Sequence, residues 1–313
     1  KFKVLEFFFI SCFIALEKMN WKKKVYICAM GCNYSDPKKM RSDLVISYAD
    51  KICMNDYKEE YEENPNKVIT SLTKKIEILM QEQITDNRNI ELAPLHENIM
   101  KITRKGMNLH NSDHKIPLIE RWKYSQRLAL WLNDEARNKE ELENLKFDLE
   151  RYNQLLEESN VSEQLLFWKK TNPSGSRAKE ILYLLFMAPF ALLGVVHAGI
   201  PYLWVKSFTE KIMKRPVFWS SVKLFLGVIT IALFNVILLT ALYNLIDTGI
   251  NGWWFILYFF VGIGFTAPVF YDWMTTLKRF KEKGRINGMN LTELINERVV
   301  VEKKVHDFLN EFH

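Results

Sequence analysis

The sequence predicts a small α/β part at the start of the chain, followed by a helical region and then by a membrane-embedded helical part. Residues 24–32 and 44–49 are rich in Val, Ile, Tyr and Cys and are bounded by Asn, Ser, Asp and Pro, a pattern typical of β-strands. Three later segments are apolar over about 20 residues, the length that a helix needs to cross a bilayer. They are residues 181–205, 224–246 and 253–271.

The composition is that of a folded chain. The 313 residues are 48% hydrophobic and 13% aromatic, which excludes a disordered protein. The net charge of +6 is modest for this length, and we expect no nucleic-acid partner, no metal and no cofactor. Four cysteines lie near the start in mostly apolar surroundings, and we expect them to be buried, unpaired and in a reducing cytosol. They are Cys12, Cys28, Cys32 and Cys53.

The three apolar segments differ in character. The second carries no charge and no proline, and the third begins with Trp253 and Trp254 and ends near Tyr271, which places aromatic residues at both membrane interfaces. The first contains His197 and is interrupted by prolines and glycines. An ionisable residue in a membrane segment is a functional candidate by default. The alternative is that His197 lies in a wet position near the tip of a hairpin.

Charge placement predicts how these segments are arranged. Basic residues stand on both sides of the first segment and after the third, and positively charged flanks stay in the cytoplasm. We therefore expect the first segment to re-enter the membrane or lie in its plane as a hairpin, and the other two to cross as a pair. Three straight crossings are the alternative. The basic residues are Lys169, Lys170, Arg177 and Lys179, then Lys206, Lys211, Lys214, Arg215 and Lys223, then Lys278, Arg279, Lys281, Lys283 and Arg285.

The remaining regions have helical periodicity. Asn64 and Pro65 predict the start of a helix that runs to about Thr85, and residues 93–168 hold three further helical patterns. A final helix carries an apolar stripe that is broken only at Arg298. The predicted domains are an α/β part over 1–90, a helical cytosolic region over 91–170, a membrane-embedded region over 171–285 and an amphipathic helix over 286–313.

A short basic loop lies between the two strand-like segments. Residues 28–42 read CAMGCNYSDPKKMRS, so that a turn at 35–37 is followed by Lys38, Lys39 and Arg41. Such a loop at a sheet edge suits a phosphate group, and Arg41 suits a bidentate contact. The alternative interpretation is a solvated hairpin loop.

This stretch resembles the latter half of the glycerolipid acyltransferase domain of lysophosphatidate and glycerol-3-phosphate acyltransferases. The family shows a strand of the form I-V-P-V-G-L-N-Y, then an F-R-S turn, and here Gly31, Asn33, Tyr34, Arg41 and Ser42 match. The membrane part, with LLFMAPFALLGVVHAGIPYLWV and RPVFWSSVKL, is similar to the extension on a bacterial branch of the family.

The resemblance implies that the α/β part is a remnant of an acyltransferase domain, continued by a membrane extension. It implies acyl transfer from an acyl-CoA or acyl-carrier-protein donor to glycerol 3-phosphate or lysophosphatidate in phospholipid biosynthesis. It also implies a location in the bacterial inner membrane with the soluble part facing the cytoplasm. The substrate-binding residues that it implies are Met30, Gly31, Asn33, Tyr34, Arg41 and Ser42.

Several features depart from the family pattern. Ala29 and Lys51 stand where the family has proline, and Ala49 stands where it has glycine. The His-x-x-x-x-Asp motif, whose histidine deprotonates the acceptor hydroxyl, does not occur in these 313 residues, nor does the Glu-Gly-x-x-Ser loop. We expect both upstream of Lys1, and we expect the chain alone to lack activity. The alternative is a non-catalytic membrane-anchored scaffold or a degenerate homologue.

His110 and His114 flank Asp113 and are a weaker metal candidate.

Overall fold

The computed structural model is 75% helical and contains only short strands. It describes residues 3–36, 42–134, 139–172, 174–215, 219–245 and 252–312. The chain divides into two compact units. The first, here the β-containing unit, comprises described residues within 1–35, 42–150 and 301–313, and the second, here the membrane-helix unit, comprises those within 151–300.

The β-containing unit holds four strands and six helices among its described residues, and the end of the last helix of the chain completes it. The elements are α1 (Lys3–Lys18), β1 (Tyr26–Ile27), β2 (Met30–Tyr34), β3 (Leu44–Tyr48), β4 (Ile52–Cys53), α2 (Lys58–Glu63), α3 (Pro65–Glu82), α4 (Ala93–Thr103), α5 (Leu118–Leu132), the first part of α6 (Lys139–Glu158) and the end of α13 (Thr292–Phe308).

The strands pair only with antiparallel partners. β2 pairs with β3, so that Met30 lies opposite Tyr48, and β1 pairs with β4. The single strand predicted over residues 24–32 is wrong, because the β1 and β2 ladders are interrupted at Cys28 and Ala29 and β2 continues to Tyr34. An α/β acyltransferase remnant is not confirmed, since the described residues contain two two-stranded antiparallel ladders and no parallel pair.

The core of this unit lies between α1, α3 and the ladder of β1 and β4. Phe9, Phe13 and Leu16 of α1 are buried, and the ring of Phe13 stacks on Tyr61 with centroids 4.1 Å apart. At the start of α3 the Lys67 amide donates to Asn64 Oδ1 over 3.1 Å, so the predicted helix start at Asn64 is confirmed. The buried stripe of α3 is Val68, Ile69, Leu72 and Ile76.

The region predicted to hold three helices contains four, α4 to α7. The extra boundary lies where α6 ends, because Asn160 adopts a left-handed conformation with φ 52° and α7 restarts at Glu163. On α5, the Trp131 ring packs against Phe308 at 4.9 Å, which brings the end of the chain into the core of the β-containing unit.

The membrane-helix unit is entirely helical among its described residues. It consists of the end of α6, then α7 (Glu163–Thr171), α8 (Ala178–Gly194), a π-helical segment (Val195–Gly199), α9 (Ile200–Ile212), α10 (Trp219–Leu245), α11 (Gly252–Leu257), a second π-helical segment (Tyr258–Ile263), α12 (Gly264–Asn287) and most of α13.

Three continuous helical stretches in this unit have the length and composition to cross a membrane. They are Ala178–Ile212, Ser221–Leu245 and Gly252–Asn287, and the first and last of them each contain one π-helical segment. These three candidate membrane helices indicate a membrane protein. The apolar residues on these helices are largely exposed in the protein itself, as expected for side chains that face lipid.

The first stretch changes partner at its π-helical segment. Before that segment α8 runs antiparallel to α12, as the contacts of Glu180 with Lys283 and of the Leu184 carbonyl with Trp273 show. After it, α9 runs antiparallel to α10, with Glu210 beside Lys223. The stretch stays helical where it changes partner, so a bend between α8 and α9 occurs there without a loop.

The last helix contains the residue at which its apolar stripe is broken. Arg298 is fully buried, and its Nε lies 2.7 Å from Glu163 Oε1 on α7. The Tyr152 hydroxyl donates to the same carboxylate, and the guanidinium lies 5.1 Å from the centre of the Phe167 ring. A polar residue in the stripe is thus explained by a buried ionic cluster, which we call the Arg298 cluster.

Candidate functional site

The structure separates the residues predicted to bind substrate into two groups. Met30 and Tyr34 point to the exposed face of β2, whereas Gly31 and Asn33 point to its buried face. Ser42 is partly buried next to the start of β3. Arg41, with Lys38 and Lys39, lies outside the residues that the structure describes.

Gly31 and Asn33 hold the end of α3. Asn33 Nδ2 donates to the Gln83 carbonyl over 2.9 Å, and the Thr85 amide donates to Asn33 Oδ1 over 3.1 Å. Ser47 Oγ donates to the same Gln83 carbonyl over 2.7 Å. A Cβ atom on Gly31 would clash with that carbonyl, so only glycine permits this approach. These two matching residues therefore have a structural role in the described fold.

The two ends of the basic loop are joined at Ser35 and Asp43. The Ser35 amide donates to the Asp43 carbonyl over 3.0 Å, and the Asp43 amide donates to Ser35 Oγ over 2.9 Å. The Asp43 carboxylate is in turn 3.3 Å from Nη1 of the buried Arg121. The base of the loop is thus anchored to α5, although the loop itself lies outside the described residues.

The outward face of the β2–β3 ladder is apolar. Met30, Tyr34, Ile46 and Tyr48 are exposed there, and Tyr48 retains 74% of its accessible surface. Cys28 and Cys32 are also exposed, so the prediction that the cysteines are buried is wrong for these two residues, and Cys12 and Cys53 are only partly buried. The reason is that the alternation along this ribbon directs Cys28 and Cys32 away from α3.

No metal centre is formed by the part of the chain that the structure describes. Within it, no group of three or more His, Cys, Asp and Glu side chains lies close enough to hold an ion. His110 and His114 lie in a polar loop, where the His110 amide donates to Asn108 Oδ1. The two histidines are therefore not in a helical i, i+4 arrangement.

The most elaborate buried polar arrangement among the membrane helices is centred on His197. Its Nδ1 lies 2.6 Å from Asn235 Oδ1 and its Nε2 lies 2.8 Å from the Tyr258 hydroxyl. Asn235 Nδ2 donates to the carbonyls of His197 and Ile231, each over 2.8 Å. His197 is 4% exposed and Asn235 is fully buried, so the expectation of a wet position for His197 is wrong. We call His197, Asn235 and Tyr258 the His197 cluster.

A neutral imidazole satisfies every group in this cluster. With the proton on Nδ1, His197 donates to Asn235, and Nε2 accepts from Tyr258. Both His197 and Tyr258 lie in π-helical segments, which occur frequently at functional sites. The cluster lies where α8 gives way to α9, and it connects all three membrane stretches. Its chemistry can therefore fix the arrangement of these helices.

The sequence pointed to His197 but not to its partners. Asn235 is 38 residues away and Tyr258 is 61 residues away, and neither stands out from a single apolar segment. The sequence did contain one signal of the cluster, the polar amide of Asn235 within a long uncharged segment. A buried amide in a membrane helix needs a hydrogen-bond partner.

Comparison with known proteins adds no family to these observations. No protein-family model, no curated protein and no solved structure matches the chain.

Proposed function

We propose that this chain is part of a membrane-bound acyltransferase of phospholipid biosynthesis. The reaction moves an acyl group from a CoA or carrier-protein thioester to glycerol 3-phosphate or lysophosphatidate. The acceptor hydroxyl oxygen attacks the thioester carbonyl carbon, the C–S bond breaks, the thiolate leaves, and a base takes the hydroxyl proton. The observation that carries the proposal is the run of Gly31, Asn33, Tyr34, Arg41 and Ser42 around one β-hairpin.

The geometry of the hairpin is compatible with a role in binding phosphate. Ser35 and Asp43 join the two ends of the basic loop, and Arg121 holds Asp43 in place. A loop with fixed ends loses less conformational entropy when it binds a ligand than a free segment does. Under the proposal, Arg41 donates to the phosphate of the acceptor, and Gly31 and Asn33 keep the hairpin packed on α3.

The apolar outward face of the β2–β3 ladder also supports the proposal. Exposed apolar patches commonly mark interaction surfaces. Only one face is covered within the described part of the β-containing unit, by the end of α3. In the proposed enzyme, the outward face packs against the polypeptide that supplies the general base, because no histidine here is followed five positions later by Asp.

The proposal is tested by measuring acyl transfer in membranes that contain the complete protein encoded by the native reading frame. Both thioester donors are assayed with labelled glycerol 3-phosphate and with labelled lysophosphatidate. Arg41→Ala removes charge-assisted hydrogen bonds and is expected to raise the Michaelis constant for the acceptor about tenfold or more, with little change for the thioester. Arg88→Ala is the control, since Arg88 is exposed and pairs only locally with Asp86.

A non-catalytic membrane-anchored scaffold is the second candidate. One observation favours it: Gly31 and Asn33, which match the family pattern, are used to pack the end of α3. Under this alternative the complete protein inserts into membranes but transfers no acyl group from either donor. Acyl transfer that depends on Arg41 would exclude the scaffold.

A further inference from the structure

A groove in the membrane-helix unit runs between α9, α10 and the start of α12. Its volume is about 330 Å³, at the lower end of the range for small-molecule sites of roughly 300–1,000 Å³. Most of its lining is apolar, including Val228, Ile231 and Phe260. Among the residues that the structure describes, the charged ones that line it are Lys206 and Lys223.

Two glycines create the depth of this groove. A Cβ atom on Gly227 or on Gly264 would meet nothing within 4 Å, so the space beside both residues is open. Gly227 lies on α10 and Gly264 begins α12, on opposite walls of the groove. A Cβ atom at either position would therefore be added without displacing a neighbouring atom.

The lysines give the groove a positive charge. Lys223 Nζ lies 2.7 Å from Glu210 Oε1, and its side chain is only 13% exposed. Lys206 is exposed and interacts electrostatically with the same carboxylate. Two positive charges against one negative charge leave an excess of one positive charge beside an apolar wall. That combination complements a ligand with an anionic head and a hydrocarbon tail.

We propose that this groove binds one anionic phospholipid, with an acyl chain along Gly227 and Gly264 and the phosphate at Lys206 and Lys223. The site is separate from the β-hairpin, and the inference does not depend on acyl transfer. A lipid held here would lie between α9 and α10 and contact Ile231, whose carbonyl accepts a hydrogen bond from Asn235 of the His197 cluster. Binding would therefore stabilise the same helix arrangement that the cluster holds.

The test uses the full chain in detergent micelles with labelled phosphatidate and labelled phosphatidylcholine. We expect about one phosphatidate per chain to be retained, and much less phosphatidylcholine. Lys206→Ala should weaken phosphatidate retention about tenfold, as expected for loss of a charge-assisted contact. Gly264→Leu should abolish retention of phosphatidate by filling the groove. Lys211→Ala is the matched control, because Lys211 is an exposed lysine on α9 that does not line the groove.

Three results would overturn the proposal. The first is equal retention of the two lipids, which indicates a non-specific lipid shell. The second is competition by free glycerol 3-phosphate as strong as that by phosphatidate, which indicates a phosphate site without a chain site. The third is retention unchanged by both Lys206→Ala and Gly264→Leu. If Gly264→Leu does not fold, Lys206→Ala decides, since the Lys206 side chain is exposed. A failure of the acyl-transfer assay leaves every one of these outcomes unaffected.

Discussion

His96 is a buried histidine in the β-containing unit whose surroundings favour the neutral form. Burial lowers the pKa of His96, and the hydrogen bond of 2.8 Å from its Nε2 to the Ser125 carbonyl opposes this effect only in part. A base with a lowered pKa in the folded state binds fewer protons than in the unfolded state between the two pKa values. Its surroundings therefore destabilise the fold as pH falls.

We predict that the packing of α4 on α5 weakens below the pKa of an unfolded histidine, about 6.5. Above that pH the contribution of His96 to the free energy of unfolding is constant, and this contribution declines as pH drops toward the lowered pKa of His96 in the folded state. Hydrogen exchange of the α4 amides should accelerate relative to its intrinsic rate between pH 7 and pH 5. His96→Gln should flatten this dependence, while His114→Gln, at an exposed site, should leave it unchanged. The same acceleration in His96→Gln would assign it to another group.

The His197 cluster provides a second prediction at this scale. His197→Leu leaves Asn235 Oδ1 and the Tyr258 hydroxyl without their partner inside the helix packing. We expect the free energy of unfolding to fall by about 1–3 kcal/mol, which would be seen as a lower unfolding temperature in detergent. Tyr258→Phe, which removes one hydrogen bond and no packing, should have a smaller effect. In the double variant the two losses should not add, because both substitutions remove the same hydrogen bond. Additive losses would show that His197 and Tyr258 contribute to stability independently of each other.

At the scale of elements, the Arg298 cluster joins α13 to α7. Arg298→Met removes the cation beside the buried Glu163 carboxylate, and we expect destabilisation by about 3–5 kcal/mol. The control is Arg151→Met, because the contact of Arg151 with Glu297 is exposed and worth at most about 1 kcal/mol. The measurement is the denaturant midpoint for loss of helical signal.

A double variant separates charge from packing. Arg298→Met combined with Glu163→Leu removes both buried charges, and replacing a buried ion pair with apolar residues is often neutral or stabilising. We expect stability to return toward that of the unmodified protein. A double variant as unstable as Arg298→Met alone would show that a change of shape, and not the buried charge of Glu163 without Arg298, causes the destabilisation.

Elements with a strong local pattern were predictable from the sequence, and those defined by distant contacts were not. The start of α3 was predictable because Asn64 caps it and Pro65 follows, a signal contained in two adjacent residues. The break between β1 and β2 was not, because Cys28 and Ala29 have ordinary strand residues on both sides. The buried partner of Arg298 was not predictable either, since Glu163 lies 135 residues earlier.

In the candidate sites, too, local patterns were predictable from the sequence and contacts between distant residues were not. The exposed position of Met30 and Tyr34 and the buried position of Gly31 and Asn33 follow from the alternation of a strand. The contact of Asn33 with the end of α3 depends on a residue 50 positions away and required the folded chain.

At the scale of the whole molecule, one buried contact predicts an even number of membrane crossings. Glu163 precedes the first membrane stretch and Arg298 follows the last, yet their side chains are 2.7 Å apart. Three straight crossings would place them on opposite sides of a bilayer whose hydrocarbon core is about 30 Å thick. Moreover, α8 is antiparallel to α12, and α9 is antiparallel to α10. α10 also runs antiparallel to α11, with Tyr243 against Phe255, and α11 and α12 belong to one continuous helical stretch. α8 and α9 therefore run in opposite directions, so the first stretch must bend between them.

We therefore predict that Ala178–Ile212 enters and leaves the membrane on one side, while the other two stretches cross it. Single cysteines placed at Asn172, Lys214 and Gly252 in a cysteine-free background report the topology through an impermeant thiol reagent. Cysteines at 172 and 214 should react from the cytoplasmic side and the one at 252 from the opposite side. Reaction of 214 together with 252 would contradict this arrangement.

The buried pair of Glu163 and Arg298 also sets the order of events during synthesis. After Glu163 is made, 135 further residues are added up to and including Arg298. At about 5–20 residues per second, that delay is roughly 7 to 27 seconds. Throughout this interval Glu163 has no cationic partner from α13, and all three membrane stretches are being inserted. The closing of this pair is therefore a late step in biogenesis, and a nascent chain halted before Arg298 would lack the buried ion pair that joins α13 to α7.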